Sequence, residues 1–155
     1  MNETKKSEQV SEPWDVLVVG KGNAALCAAL AAADEGASVA MLEAAPEEES
    51  GGNSSFAGGV MRFAYDGVED IQKLCDLTEE EMRDTDWESN TVEEFYDDLF
   101  RVTSFRTDPA LSEILVTRSL ETMVWLRSQG THFLPNYRHQ SAVVDGKRHF
   151  FGRMP

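Results

Sequence analysis

The apolar positions of this chain change their period several times, and each change marks a predicted element. Val16 to Val19 is a continuous valine-rich run between Pro13 and Gly20. That pattern suits a parallel strand buried on both faces, not an alternating surface strand. From Asn23 to Glu35 alanine and leucine dominate, which predicts a helix, and Gly36 is its C-terminal stop. Ser38 to Leu42 is a second short apolar strand. Strand, helix and strand within about 30 residues make a βαβ unit, whose crossover is expected to be right-handed.

Beyond Glu43 the texture changes. The stretch AAPEEESGGNSSFAGGVM is loop-like, with four glycines in the nine positions from Gly51 to Gly59. Thr78 with Glu81, and Thr91 with Glu94, have the spacing of capping boxes and predict two helix starts. The second helix carries Val92, Phe95, Leu99 and Phe100 on one face. Asp108-Pro109 is an N-cap followed by proline at the first helical position. The helix it opens carries Leu111, Ile114, Leu115, Leu120 and Val124, and is expected to run to Gly130. His132 to Gly152 is expected to be extended, with a hairpin turn at Asp145-Gly146. The fold class is therefore α/β: a βαβ layer with an incomplete parallel sheet, then helices, then a short β-hairpin region.

Composition narrows the function. The 155 residues carry a net charge of −14, which argues against a nucleic-acid partner, since phosphate binding needs a basic surface. The charge is uneven: residues 66–98 hold 14 acids and two bases, and from Leu99 onward eight bases face four acids. A solvated acidic face accounts for this better than a partner site. Cys27 and Cys75 fit neither a metal spacing nor a disulfide framework, and Cys27 is expected to be a small buried thiol in the alanine-rich helix. Residues 1–13 are polar, are expected to be a disordered lead-in, and have no signal-peptide core. Nothing approaches the roughly 18 consecutive apolar residues of a membrane span. A cytoplasmic, reducing compartment is the expectation.

The chemistry begins at Gly20-Lys21-Gly22-Asn23-Ala24-Ala25, a G-x-G-x-x-A pattern between a predicted strand and a predicted helix, with Glu43 lying 23 residues past Gly20. This is the context a dinucleotide fingerprint requires. Gly20 permits the tight turn, Gly22 lets a pyrophosphate approach the helix N-terminus, and Ala25 allows close packing of helix on strand. Glu43, at the end of the second strand, can accept hydrogen bonds from an adenosine ribose and disfavours a 2′-phosphate. The second glycine cluster separates FAD from NAD. Its backbone N–H groups, with the side chains of Asn53 and Ser54, can close over a pyrophosphate and reach a flavin ring, and an NAD site has no need of it.

These motifs carry a resemblance. DVLVVGKGNAALCAALAAADEGASVAMLEAAP followed by GGNSSFAGG, with the later WLRSQGTHFLP and FFG, resembles the fumarate reductase/succinate dehydrogenase flavoprotein family, in its tricarballylate dehydrogenase branch. The resemblance implies a Rossmann-like FAD-binding domain and hydride transfer between a flavin and a C–C bond beside a carboxylate of a di- or tricarboxylate substrate. The cofactor contacts it places on this chain are Gly20, Gly22, Ala24, Glu43, Asn53, Ser54 and Gly59, and the expected cofactor-binding set also includes Asn23, Gly52 and Gly58. No histidine stands near Asn53, so the FAD is expected to be noncovalent. The family's substrate-binding and proton-donating residues have no counterpart here, so no catalytic residue is assigned. Residues 14–155 are expected to be the N-terminal portion of such a domain, truncated before the substrate and capping domain and inactive alone. Two alternatives stay open: a stand-alone NAD-binding or interaction module, and part of a ketosteroid dehydrogenase-like flavoenzyme.

Other residues attract no assignment. His132, His139 and His149 are spaced 7 and 10 residues apart, which fits no standard metal motif, so no metal is expected. Trp125 is expected in the core. Arg62 is equally suited to a substrate cavity and to the surface.

Overall fold

The computed structural model describes residues 13–138 and 140–151, which form an α/β protein. Residues 1–12 of the expected lead-in, His139 and residues 152–155 lie outside the described residues. The chain divides into two compact units, with the division between Gly59 and Val60.

The first unit is the βαβ layer. Strand β1 (Val16–Val19) pairs in parallel with β2 (Val39–Leu42), with Val16 opposite Val39 and Val19 opposite Leu42. Helix α1 (Asn23–Asp34) connects them and turns its buried Ala29 inward. Gly36, at φ +85°, lets the chain leave the helix in a left-handed turn. Both strand openings are tied together by Asp15, whose carboxylate accepts from the Ser38 N–H at 2.9 Å and the Ser38 hydroxyl at 2.7 Å. Those bonds lower the Asp15 pKa. The strands are less buried than their sequence predicts: only Val18 is buried in β1, because β2 is the sole strand paired with it among the described residues. Cys27 is half-buried rather than buried.

The second unit begins at Val60. It holds α2 (Val68–Gln72), α3 (Glu79–Asp84), β3 (Thr85–Asp86), α4 (Val92–Val102), α5 (Pro109–Thr117), α6 (Ser119–Ser128), β4 (Ser141–Val144) and β5 (Lys147–Phe150). Both capping boxes form: the Thr91 hydroxyl accepts from the Glu94 N–H, and the Glu94 carboxylate accepts from the Thr91 N–H at 3.0 Å. Asp108 caps α5 through the Ala110 and Leu111 N–H groups. Thr91→Ala is expected to lower the unfolding free energy by about 1 kcal/mol, the usual cost of losing a hydroxyl N-cap. Urea denaturation followed by circular dichroism measures it, and an unchanged midpoint would mean the box contributes nothing.

The expected single helix from Pro109 to Gly130 is instead two, broken at Arg118 (φ −98°, ψ 0°). Ser119 accounts for the break. Its buried hydroxyl donates to the Val116 carbonyl at 2.8 Å and accepts from the Ala64 N–H at 2.9 Å, which pins the backbone where a straight helix would continue. In the first of the two helices Ser112 and Val116 are buried, while Leu111 and Ile114, part of the expected apolar face, are 67% and 61% exposed. Trp125 is half-buried.

The hairpin forms as expected, with Asp145 and Gly146 both at positive φ between β4 and β5. Its second strand also pairs in parallel with the two-residue strand β3, giving the order β3-β5-β4. The inner face of this sheet enters a core of Phe63, Tyr65, Ile71, Trp87, Met123 and Phe150. Among the described residues no helix is long and apolar enough to cross a membrane.

Candidate functional site

Parallel pairing sets the location. Val19 and Leu42 are opposite each other at the carboxyl ends of β1 and β2, so Gly20 and Glu43 leave the sheet at the same end. The Gly20 N–H donates to the Leu42 carbonyl at 2.7 Å, the last tie before the chain turns into α1. Gly20 makes that turn at φ +110°, where a side chain would be strained.

Gly22 is different. It is the N-cap of α1 at φ −80°, ψ 174°, a conformation open to any residue. A Cβ built there would meet the Gly51 carbonyl at 3.5 Å and the Ser54 hydroxyl at 3.6 Å, both ordinary contacts. Neither backbone nor packing requires glycine at this position. What the missing side chain leaves open is the approach to the first turn of α1, whose N–H groups have no partner inside the helix.

The second glycine cluster is docked on that turn. The Ser54 hydroxyl accepts from the Asn23 N–H at 3.0 Å. Gly51 (φ +99°) and Gly52 (φ +54°) turn the chain into a short 3-10 helix, Gly52–Phe56, that carries Ser54 there. Gly51 lies outside the expected cofactor set, yet its geometry is the most demanding of the cluster: a Cβ would lie 2.4 Å from the Ser55 hydroxyl oxygen. The Gly51-Gly52 doublet was the available signal. Asn53, Phe56, Gly58 and Gly59 are exposed, and Gly58 and Gly59 lie in the left-handed region with open space around them.

Glu43 is exposed, and its Oε1 accepts from the Ala45 N–H at 2.9 Å. That bond orients the carboxylate and uses one of its roughly four acceptor positions, leaving Oε2 for a ligand. The unit therefore assembles Gly20, Gly22, Asn23, Ala24 and Ser54 around one helix N-terminus, with Glu43 at the adjacent strand end. The positive end of the α1 dipole faces this point, and α1 has no acid in its first turn. A helix N-terminus suits an anionic group and a strand-end carboxylate can accept from hydroxyls, the chemistry that a diphosphate and a ribose present.

Arg62, in the second unit, is committed to its own surroundings. It donates to Asp98 at 2.6 Å and to Asn90 at 2.8 Å, and its guanidinium lies 4.8 Å from the centre of the Phe95 ring. Hydrogen bonds from Arg101 and then Arg62 hold the Asp98 pKa down at about 2.

Residues 15–150 match the family model of the FAD binding domain. The chain is 31% identical over 116 residues to fumarate reductase (cytochrome) of Shewanella frigidimarina, covering 75% of this chain and 18% of that protein. It is 33% identical over 135 residues to the probable fumarate reductase Ifc3 of the same species, covering 87% of this chain and 20% of the relative. A vinyl phenol reductase of Lactiplantibacillus plantarum is 30% identical over 122 residues, 79% of this chain and 21% of its own length. The chain thus spans about a fifth of the length of these relatives.

Proposed function

From a chain that belongs to the FAD binding domain family, we propose a segment that holds the adenosine diphosphate half of the flavin cofactor in an oxidoreductase. FAD is the cofactor of this domain. When bound, it supplies a two-electron carrier suited to hydride exchange with a C–C bond. The residues of this chain bind and orient it. The N–H groups of Ala24 and its neighbours at the start of α1 receive the pyrophosphate through the opening left by Gly22. Ser54 fixes the second glycine cluster against that turn, and Glu43 Oε2 accepts from the ribose hydroxyls. Asn53, Gly58 and Gly59, exposed in the same cluster, are proposed to contact the rest of the cofactor. No histidine or cysteine occurs between Glu43 and Gly59, which supports noncovalent attachment.

The observation that carries this reading is the Ser54–Asn23 hydrogen bond, which brings the second glycine cluster to the helix N-terminus behind the fingerprint. An NAD-only module gives that cluster nothing to do. For the substrate, a di- or tricarboxylate is proposed, with tricarballylate first. Its support is the motif resemblance, together with two relatives named for fumarate, a dicarboxylate.

Titration of the chain with FAD, ADP, FMN and NAD tests the reading. Glu43→Ala is expected to weaken FAD and ADP about tenfold, equivalent to about 1.4 kcal/mol, and to leave FMN unchanged. Equal loss for FMN, or NAD binding with FAD ignored, would overturn it.

A further inference from the structure

The parallel pairing of β3 with β5 creates a juxtaposition that the histidine spacing does not reveal. Asp86 and His149 are register partners, so their side chains emerge side by side on the outer face of the sheet. Their inner-face neighbours Trp87 and Phe150 are both buried, with ring centroids 5.5 Å apart, and this packing fixes the two strands against each other. Glu88 follows two residues after Asp86, and donor atoms of Asp86, Glu88 and His149 all lie within 4.8 Å of one another. The three side chains are reachable from solvent: His149 is 33% and Asp86 44% exposed, and Glu88 is exposed. Of the other two cations on β5, Lys147 is exposed, and Arg148 donates to the Ser141 hydroxyl at 2.9 Å and lies over the Tyr137 ring.

We propose that Asp86, Glu88 and His149 form a binding site for a divalent zinc-class ion, separate from the flavin-binding residues. The separation of the pair favours a metal over a simple ion pair. The His149 Nδ1 to Asp86 Oδ2 separation is 3.5 Å, long for a charge-assisted hydrogen bond, which is about 2.7–2.9 Å. Two ligands each about 2.0–2.2 Å from a tetrahedral ion stand roughly 3.3–3.5 Å apart, which is the spacing already present. Small rotamer changes bring Glu88 in as the third ligand, and water completes the tetrahedron. An imidazole with two carboxylates selects zinc or its transition-metal neighbours over magnesium or calcium, which prefer all-oxygen sites. The ion would clip β3 to β5 across 63 residues of sequence, and a ligand of the folded state alone stabilises that state.

The test is calorimetric titration of the tag-free, chelator-stripped 155-residue chain with ZnCl₂ and, in parallel, MgCl₂. The expected result is saturation at one Zn²⁺ per chain with no Mg²⁺ binding. His149→Gln and Glu88→Gln are each expected to weaken Zn²⁺ tenfold or more and to remove its upward shift of the melting temperature, and His132→Gln changes neither. Should His149→Gln fail to fold, the exposed Glu88→Gln variant decides. Zn²⁺ affinity unchanged in Glu88→Gln, equal losses in His132→Gln, or no saturable Zn²⁺ binding would leave His149 and Asp86 as an ion pair only and overturn the proposal.

Discussion

Gly22→Ala is expected to raise the FAD dissociation constant about 10- to 100-fold while leaving the fold unchanged. The expectation rests on a contrast between two glycines two residues apart. At Gly20, φ is +110°, so a side chain strains the backbone itself, and a loss of binding there would be confounded with a loss of structure. At Gly22, φ is −80° and the nearest atoms to a built Cβ stand 3.5 and 3.6 Å away, so alanine is accommodated by the protein alone. Alanine even removes some conformational freedom from the unfolded chain. The added methyl group then has one expected consequence. It stands on the approach to the first turn of α1 and holds a pyrophosphate away from N–H groups that bind it by charge-assisted hydrogen bonds. Losing one or two of these contacts corresponds to about 1.4–2.8 kcal/mol, or one to two decades of affinity. Flavin fluorescence titration reads the affinity and a circular dichroism melt reads the fold. Unchanged FAD affinity in a normally folded Gly22→Ala chain would remove the pyrophosphate from this helix terminus.

What the sequence disclosed and what it hid divide along a physical line. The strand β1, the helix α1 and its Gly36 stop, both capping boxes and the Asp145-Gly146 hairpin are local: a few neighbouring residues determine each of them, and they stand where the pattern places them. The break at Arg118 depends on a hydrogen bond from the Ala64 N–H to the Ser119 hydroxyl, 55 residues apart, which no window of sequence contains. The two-residue strand β3 exists only because β5 arrives beside it, so it has no apolar period of its own. The same distinction holds at the candidate site. The G-x-G-x-x-A turn and the strand-end Glu43 are legible because their roles follow from order along the chain. That Ser54 bonds to the Asn23 N–H, and that Gly51 is the cluster's most constrained glycine, follows only from the return of the second cluster onto the first helix. Burial was the least legible property. The apolar runs of β1 and β2 announce full burial, and the partners that would provide it are not among the described residues.

That missing cover leads to the second large effect. The 155 residues expressed alone are expected to lose FAD during gel filtration and to show no turnover with tricarballylate or fumarate. Val19 is 78%, Leu17 57% and Leu42 54% exposed, in strands whose composition belongs to a sheet covered on both faces. Such strands leave unpaired edges and apolar faces, which favour self-association over a rigid ligand site. The proposed cofactor contacts all lie in the first unit and address the adenosine half of FAD, with Asn53, Gly58 and Gly59 proposed to reach beyond it. Contacts to the isoalloxazine ring and to a carboxylate substrate need side chains that this set does not include. Arg62, the basic residue nearest the second glycine cluster in sequence, is held by Asp98 and Asn90. With the adenosine contacts alone, affinity sufficient for titration but not for separation is expected, on the order of 10 µM or weaker. Ultraviolet–visible spectra of the gel-filtered protein measure flavin retention, and anaerobic mixing with tricarballylate measures its reduction. Stoichiometric FAD after filtration, bleached on addition of tricarballylate, would mean that these 155 residues hold a complete flavin and substrate site.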